Sequence, residues 1–302
     1  MGEDPGVPSE LRTARKVRAE TTGLERDPSV ERHDPSNVIR HGGRYHFWFT
    51  EHPAATSGFR EGYIRRATSE DGTHWTLHGT AYAGGRAGEW DEQTALTSYV
   101  VPQRGRFYMF YTGVPAEFED HQTDRRGIGY VVANSVDGPW RKEANEPLLW
   151  PGEDGAWDEL CCDDANLIYR ERRWWLYYKG RRKGDDPNDS RIGVAFADEL
   201  TGPYEEYPHN PVFIGHALTA WVHRQGVAAI GGGNQPDLLW SPDGLNFQPV
   251  VEFPNQSTGL YCPENFGNGV NTRGVEWGID VDWSDPPRYL YRFNCNLRLV
   301  GT

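Results

Sequence analysis

Arg32-His33-Asp34-Pro35-Ser36-Asn37-Val38-Ile39, followed by Gly42-Gly43-Arg44-Tyr45-His46-Phe47-Trp48-Phe49-Thr50, decides the fold. Gly-Gly reverses the chain, and the aromatic run after it has the composition of a strand, so the second half reads as a hairpin. The first half puts a carboxylate directly before a proline, which has no N–H to give to a ladder and fixes its own φ. Alone, Asp34-Pro35 reads as an Asx-type turn opening a strand. What gives it weight is that its surroundings recur.

A second unit runs from Ser98-Tyr99-Val100-Val101 through Gly105 to Gly113, then Gly127 to Ser135 and Gly138-Pro139-Trp140. A third runs from Asp163-Asp164-Ala165-Asn166-Leu167-Ile168 through Arg173 to Gly180, then Ile192 to Ala197 and Gly202-Pro203-Tyr204. A degenerate fourth keeps Gly226 to Ile230 and Leu238 to Phe247, and a fifth spans Trp277 to Trp283, a Pro286-Pro287 turn and Tyr289 to Phe293. Each unit is strand, turn, strand, loop, strand, turn, aromatic, which is one antiparallel propeller blade. The fold expected is all-β, a single five-bladed β-propeller over 31–302. Residues 1–30 precede it as a tail (1–8) and a short helix or arm from Ser9 to Glu20.

The totals agree. In 302 residues there are 12 Trp, 15 Tyr, 35 Gly and 21 Pro, the mixture of many short strands and tight turns. Mean hydropathy of −0.74 requires apolar and polar residues to alternate. A net charge of −13 speaks against nucleic-acid or anionic-membrane partners. Four cysteines, Cys161, Cys162, Cys262 and Cys295, have no zinc spacing and read as small buried hydrophobes, so no metal ligands are assigned. No signal-like start and no membrane-length apolar run is visible, so a soluble, cytoplasmic protein is expected.

Aligning Val38-Ile39 with Val100-Val101 and Leu167-Ile168 puts Asp34 on Asp163, Pro35 on Asp164, and Leu96 in the second unit. Units one and three then carry an acid at the head of an innermost strand, and such heads converge on one mouth of the central channel. Two carboxylates facing each other there suit glycoside hydrolysis, in which one group protonates the leaving oxygen and the other activates water or attacks; a separation of about 6.5–9.5 Å selects inversion. His33 and Asp164 flank them as substrate contacts. Trp90, Trp157 and Trp221 are candidate sugar platforms. The repetition of Trp90-Asp91-Glu92 as Trp157-Asp158-Glu159 also marks a blade junction. His223 and Arg224 are candidates for a substrate hydroxyl or carboxylate, and Glu264, in a Pro/Gly/Asn-rich loop, for proton donation.

His33-Asp34-Pro35-Ser36-Asn37-Val38-Ile39, Trp90-Asp91-Glu92-Gln93, Asp163 to Ile168 with Tyr177-Tyr178-Lys179-Gly180, and Gly215-His216 resemble glycoside hydrolase family 117 from about residue 30 to 250. The wider superfamily holds families 43, 32, 62, 68 and 130. The resemblance implies an inverting, exo-acting hydrolase that releases a terminal sugar, such as 3,6-anhydro-L-galactose or a related α-linked residue, from an oligosaccharide. It implies Asp34 as general base, Asp163 as the acid that orients the site and tunes its partner, and His216 in the proton-donor region. The family's Gly-His-Glu reads Gly215-His216-Ala217 here, so His216 and Glu264 are the donor candidates. No cofactor is required on this reading; a structural divalent cation in the channel is compatible with it, and the N-terminal arm points to a homodimer. The other readings are a family 130 type phosphorylase, which the basic run Lys179 to Lys183 permits, and a non-catalytic sugar-binding propeller, which Ala217 permits.

Overall fold

A computed structural model describes residues 6–116, 118–232, 237–253, 258–267 and 273–299. Of the segments singled out in the sequence, 1–5 and the loop stretch 268–272 beyond Glu264 lie outside the described residues.

The chain opens with α1 (Ser9–Arg12) and β1 (Lys16–Arg18). Blade one follows as β2 (Val30–His33), β3 (Ile39–His41), β4 (Arg44–Pro53), α2 (Gly58–Glu61), β5 (Tyr63–Ser69) and β6 (Thr76–Tyr82). Blade two is β7 (Thr94–Gln103), β8 (Arg106–Val114) and β9 (Gly127–Ala133). Blade three is β10 (Cys161–Arg170), β11 (Arg173–Arg181), β12 (Arg191–Ala197), β13 (Glu205–Glu206) and β14 (Phe213–Ile214). Blade four is β15 (Ala217–His223), β16 (Gly226–Gly232), β17 (Asp237–Ser241) and β18 (Gln248–Glu252). Blade five holds β19 (Thr258–Leu260), β20 (Gly274–Asp282) and β21 (Tyr289–Arg298), and its outermost strand is β1, paired antiparallel with β21. The five-bladed propeller read from the repeat is therefore the fold. No helix among the described residues is long and apolar enough to cross a membrane.

The N-terminal segment departs from expectation. Helix occupies only Ser9–Arg12, and the residues expected to continue it or reach a partner subunit complete blade five of their own chain. The cause is chemical: Lys16 forms a buried ion pair with Asp280, and Arg18 bonds Asp282 at 2.8 Å. The domain boundary placed at residue 30 thus cuts through a sheet.

Neighbouring blades are tied by asparagines that imitate a peptide group. Asn37 donates to the Val100 carbonyl and accepts from the Val100 N–H, both at 2.8 Å. Asn166 accepts from Ala220 at 3.2 Å, and Asn265 accepts from Val222 at 3.0 Å. Aromatics fill the wedges between blades; one such cluster runs from Tyr99 and Phe110 to Leu167, Leu176 and Tyr178 and includes the free, buried Cys162.

The left-handed residues set the register. Asp34, Thr97 and Asp164 have φ of 50°, 46° and 54°. Each follows a strand residue whose cross-strand partner sits at the same place in its blade: His33 opposite Thr50, Leu96 opposite Thr112, Asp163 opposite Lys179. Asp34 is therefore equivalent to Asp164, not to Asp163. Blade one has one more residue between this point and Ile39 than the other two have before Val101 and Ile168, and that extra residue displaced the sequence alignment by one.

Candidate active site

The heads of the innermost strands open into a cavity of about 580 Å³, within the size range of small-molecule sites. His33, Asp34, Asp163, Asp164 and His216 all line it. Below it the channel narrows to about 60 Å³ between Ser36, Asn37, Tyr99, Asn166 and Thr219.

Each of the three carboxylates is held differently. His33 Nδ1 lies 2.6 Å from Asp34 Oδ2. Burial alone would raise the Asp34 pKa, but the His33 ion pair and hydrogen bond, with Lys179 nearby, bring it below the ordinary carboxylate value. The same pairing outweighs burial at His33 and favours its imidazolium.

Asp163 is almost wholly buried and fully engaged. Thr112 Oγ1 donates to it at 2.6 Å, Arg126 Nε at 2.9 Å, and Lys179 Nζ stands 3.4 Å away. Against burial, Lys179 and Arg126 hold it far down, as a permanent anion. Its two lysine and arginine partners leave it little freedom to exchange a proton.

Asp164 has Lys179 Nζ at 2.6 Å, yet it goes the other way. Burial together with the Asp163 and Asp34 charges prevails over Lys179 and pushes it up to about 7. Lys179 is shared with Asp163, so its charge is divided between two anions, and Asp164 is the carboxylate of the three that takes up a proton most readily.

His216 donates from Nδ1 to the Pro187 carbonyl at 2.8 Å. The Lys179 charge, then burial, lower its pKa to about 4. The Pro187 hydrogen bond and the Asp163 and Asp34 charges push the other way without outweighing them, so the ring is neutral at pH 7 and presents Nε2 as an acceptor.

The other sequence candidates lie elsewhere. Trp90 is a blade-junction residue: its ring stacks on Tyr111 and fills the space above Gly113 and Gly129, where a side chain would collide. Trp157 does the same over Gly180 and Gly193. Trp221 is completely buried in the core between blades four and five. His223 and Arg224 both bond the Glu10 carboxylate, at 3.0 and 2.6 Å, and so anchor α1 rather than a ligand. Glu264 is not among the cavity's lining residues, and its carboxylate accepts from the Arg273 N–H at 3.0 Å.

In their place the cavity is lined by Arg126, Lys179, Arg181 and Arg288, with Phe59, His121 and Trp283 at its sides. Trp283 is 39% exposed, lies 6.3 Å from the His33 ring and has the Arg288 guanidinium 4.6 Å over one face, which leaves an exposed aromatic ring at the cavity's edge. Lys179 and Arg181 had a signal, since alternate residues of a strand share a face. Trp283 and Arg288 come from the turn between β20 and β21 and had none. Among the described residues no group of three or more His, Cys, Asp or Glu is placed to hold a metal ion.

The family model described as glycosyl hydrolases family 43 matches residues 28–188, more than half of the chain and all three cavity aspartates. Zg3597, a family 117 glycoside hydrolase from the marine bacterium Zobellia galactanivorans, superposes with a TM-score of 0.83 at 26% identity, covering 96% of this chain and 92% of that one. A fructan 1-exohydrolase from Cichorium intybus shares the fold at a TM-score of 0.66 and 15% identity, covering 89% of this chain and 56% of that one. Raffinose invertase of Escherichia coli is 27% identical over 162 residues, 53% of this chain, and the chain spans about a third (32%) of that relative's length. The resemblance to family 117 thus extends to the whole propeller, and the chain belongs to the glycosyl hydrolases family 43.

Proposed function

We propose that the protein is an inverting, exo-acting glycoside hydrolase that releases a terminal sugar, 3,6-anhydro-L-galactose or a related α-linked residue, from an oligosaccharide. One observation carries this reading. Asp34 and Asp164 occupy the same left-handed position in two non-adjacent blades, line one cavity, and have proton affinities driven apart. Such a divergence is how two carboxylates take the base and acid roles.

Asp34, ionised and oriented by His33, takes the proton of the attacking water. Asp164, protonated near neutral pH, gives its proton to the leaving oxygen. Asp163 fixes Lys179 and Arg126 without titrating itself. His216 Nε2 accepts from a sugar hydroxyl, and Trp283 offers its face to a ring at the rim. A cavity that narrows sharply below the carboxylates supports attack at a chain end.

The test is proton NMR of the anomer released from neoagaro-oligosaccharides and other α-linked oligosaccharides in the first minutes of reaction. An inverted anomer of the terminal sugar is expected. Release with retained configuration, or cleavage at internal linkages, would sink the proposal.

A further inference from the structure

Among the described residues, four Lys or Arg side chains line the cavity, and three of them have carboxylate partners. Arg126 bonds Asp163, Lys179 spans Asp163 and Asp164, and Arg288 lies 3.4 Å from Glu31. Arg181 has no carboxylate within 4.0 Å among the described residues, although only 3% of it is exposed. One of its nitrogens, Nη2, donates to the His121 carbonyl at 3.0 Å, and its Nε has no hydrogen-bond partner among the described residues. The same carbonyl accepts from Arg126 at 3.4 Å, so both guanidinium groups are held in place by one loop atom.

A buried guanidinium with no carboxylate in contact is costly to maintain; the Asp163 and Asp186 charges favour it from a distance, but burial and the neighbouring Arg126 charge weigh against it. It runs against the trend of a chain whose net charge is −13. Arg181 stands two residues beyond Lys179 on the same face of β11, opposite Cys161, about 6–7 Å further along the strand. That is about the length of one sugar ring, so a substituent of a sugar seated at Asp164 or of its neighbour falls within reach.

We infer that the cavity takes a substrate carrying an oxyanion, a uronate carboxylate or a sulfate ester, which pairs with Arg181. The inference rests on reading this cavity as the site of sugar cleavage. Arginine suits either group, because its fork bonds two oxygens at once.

The experiment is calorimetric binding to the full chain of sodium galacturonate, galactose 6-sulfate and galactose, with inorganic phosphate as a fourth probe, repeated on Arg181→Gln and Arg181→Lys. At least one of the two anionic sugars binds at least tenfold more tightly than galactose. Arg181→Gln abolishes that preference without weakening galactose, and Arg181→Lys restores part of it; which of the two binds separates carboxylate from sulfate. Arg181→Gln should keep or raise the melting temperature, whereas a merely structural arginine would lower it. Two results overturn the proposal: no anionic sugar bound in preference to galactose, or a preference that survives Arg181→Gln. Phosphate that binds at Arg181 and is required for turnover overturns it too, because the anion would then be a co-substrate. Anomer release in the NMR experiment is scored separately, so hydrolysis with no anion preference leaves the glycosidase reading standing and removes only this one.

Discussion

Asp34 and Asp164 take the same left-handed backbone turn, at φ of 50° and 54°, two blades apart, and end up with opposite appetites for a proton. Their local frames are alike, and what differs is the company. A histidine stands against the first, and against the second stand two other carboxylates and a lysine already shared.

Replacing Asp34 by Asn removes the base and keeps the shape. The kcat should fall by about 10²–10⁴-fold, the usual range for a general acid or base, while circular dichroism and melting temperature stay near those of the parent. Unchanged sugar release would exclude Asp34 from the chemistry.

Asp164 sets the alkaline limb of the pH profile. Held at about 7, it loses its proton and its donor role as pH rises through that value. Asp164→Asn should abolish that limb along with most of the kcat. The stability sign follows from the same shift. A folded pKa raised above the unfolded one contributes stability that is complete below about 4 and lost as pH rises through about 7. Chemical denaturation at pH 5 and 8 should therefore show a parent that weakens over this window and an Asp164→Asn variant that does not.

Asp163 acts in the opposite sense. Its folded pKa is depressed, so its contribution is present above the ordinary carboxylate range and lost as pH falls through that range and below. Asp163→Ala leaves Arg126 and Lys179 buried with too little negative charge, and should cost about 3–5 kcal/mol of stability at pH 7 by urea denaturation.

Trp283→Ala should raise KM by several-fold and leave kcat nearly unchanged, because a rim platform binds ground state and transition state alike. The stacking lost is about 0.5–1.5 kcal/mol. A fall in kcat with constant KM would move Trp283 out of the platform role.

Lys16→Met tests the closure of blade five. Asp280, buried against Lys16 and Tyr291, would lose its counter-ion. A loss of about 3–5 kcal/mol is expected, with the melting transition as the measure.

The blades were legible because turn chemistry and strand composition repeat, and Asp34 was legible because Asp-Pro is an unusual way to start a strand. The identity of its counterpart was not. One additional residue around Pro35-Ser36 shifts the comparison from Asp164 to Asp163, and only the second strands, in which Thr50, Thr112 and Lys179 correspond, reveal it. Trp221, His223 and Glu264 misled for a related reason. Residue type suggested sugar contacts, but none of the three lines the cavity: Trp221 lies in the core, His223 pairs with Glu10 and Glu264 bonds the Arg273 amide. Trp283 and Arg288 arrive from a turn of blade five, where no strand period marks a direction.

Lys16 and Asp280 are 264 residues apart in the chain. A ring sealed by so distant a pair closes late, since the loop that joins them must be drawn together first. His33 and Arg288 sit on one cavity wall but at opposite ends of the polypeptide. Until blade five is complete the cavity lacks the wall that Trp283 and Arg288 supply, so the recovery of ligand binding during refolding is a clock for the closing of the ring.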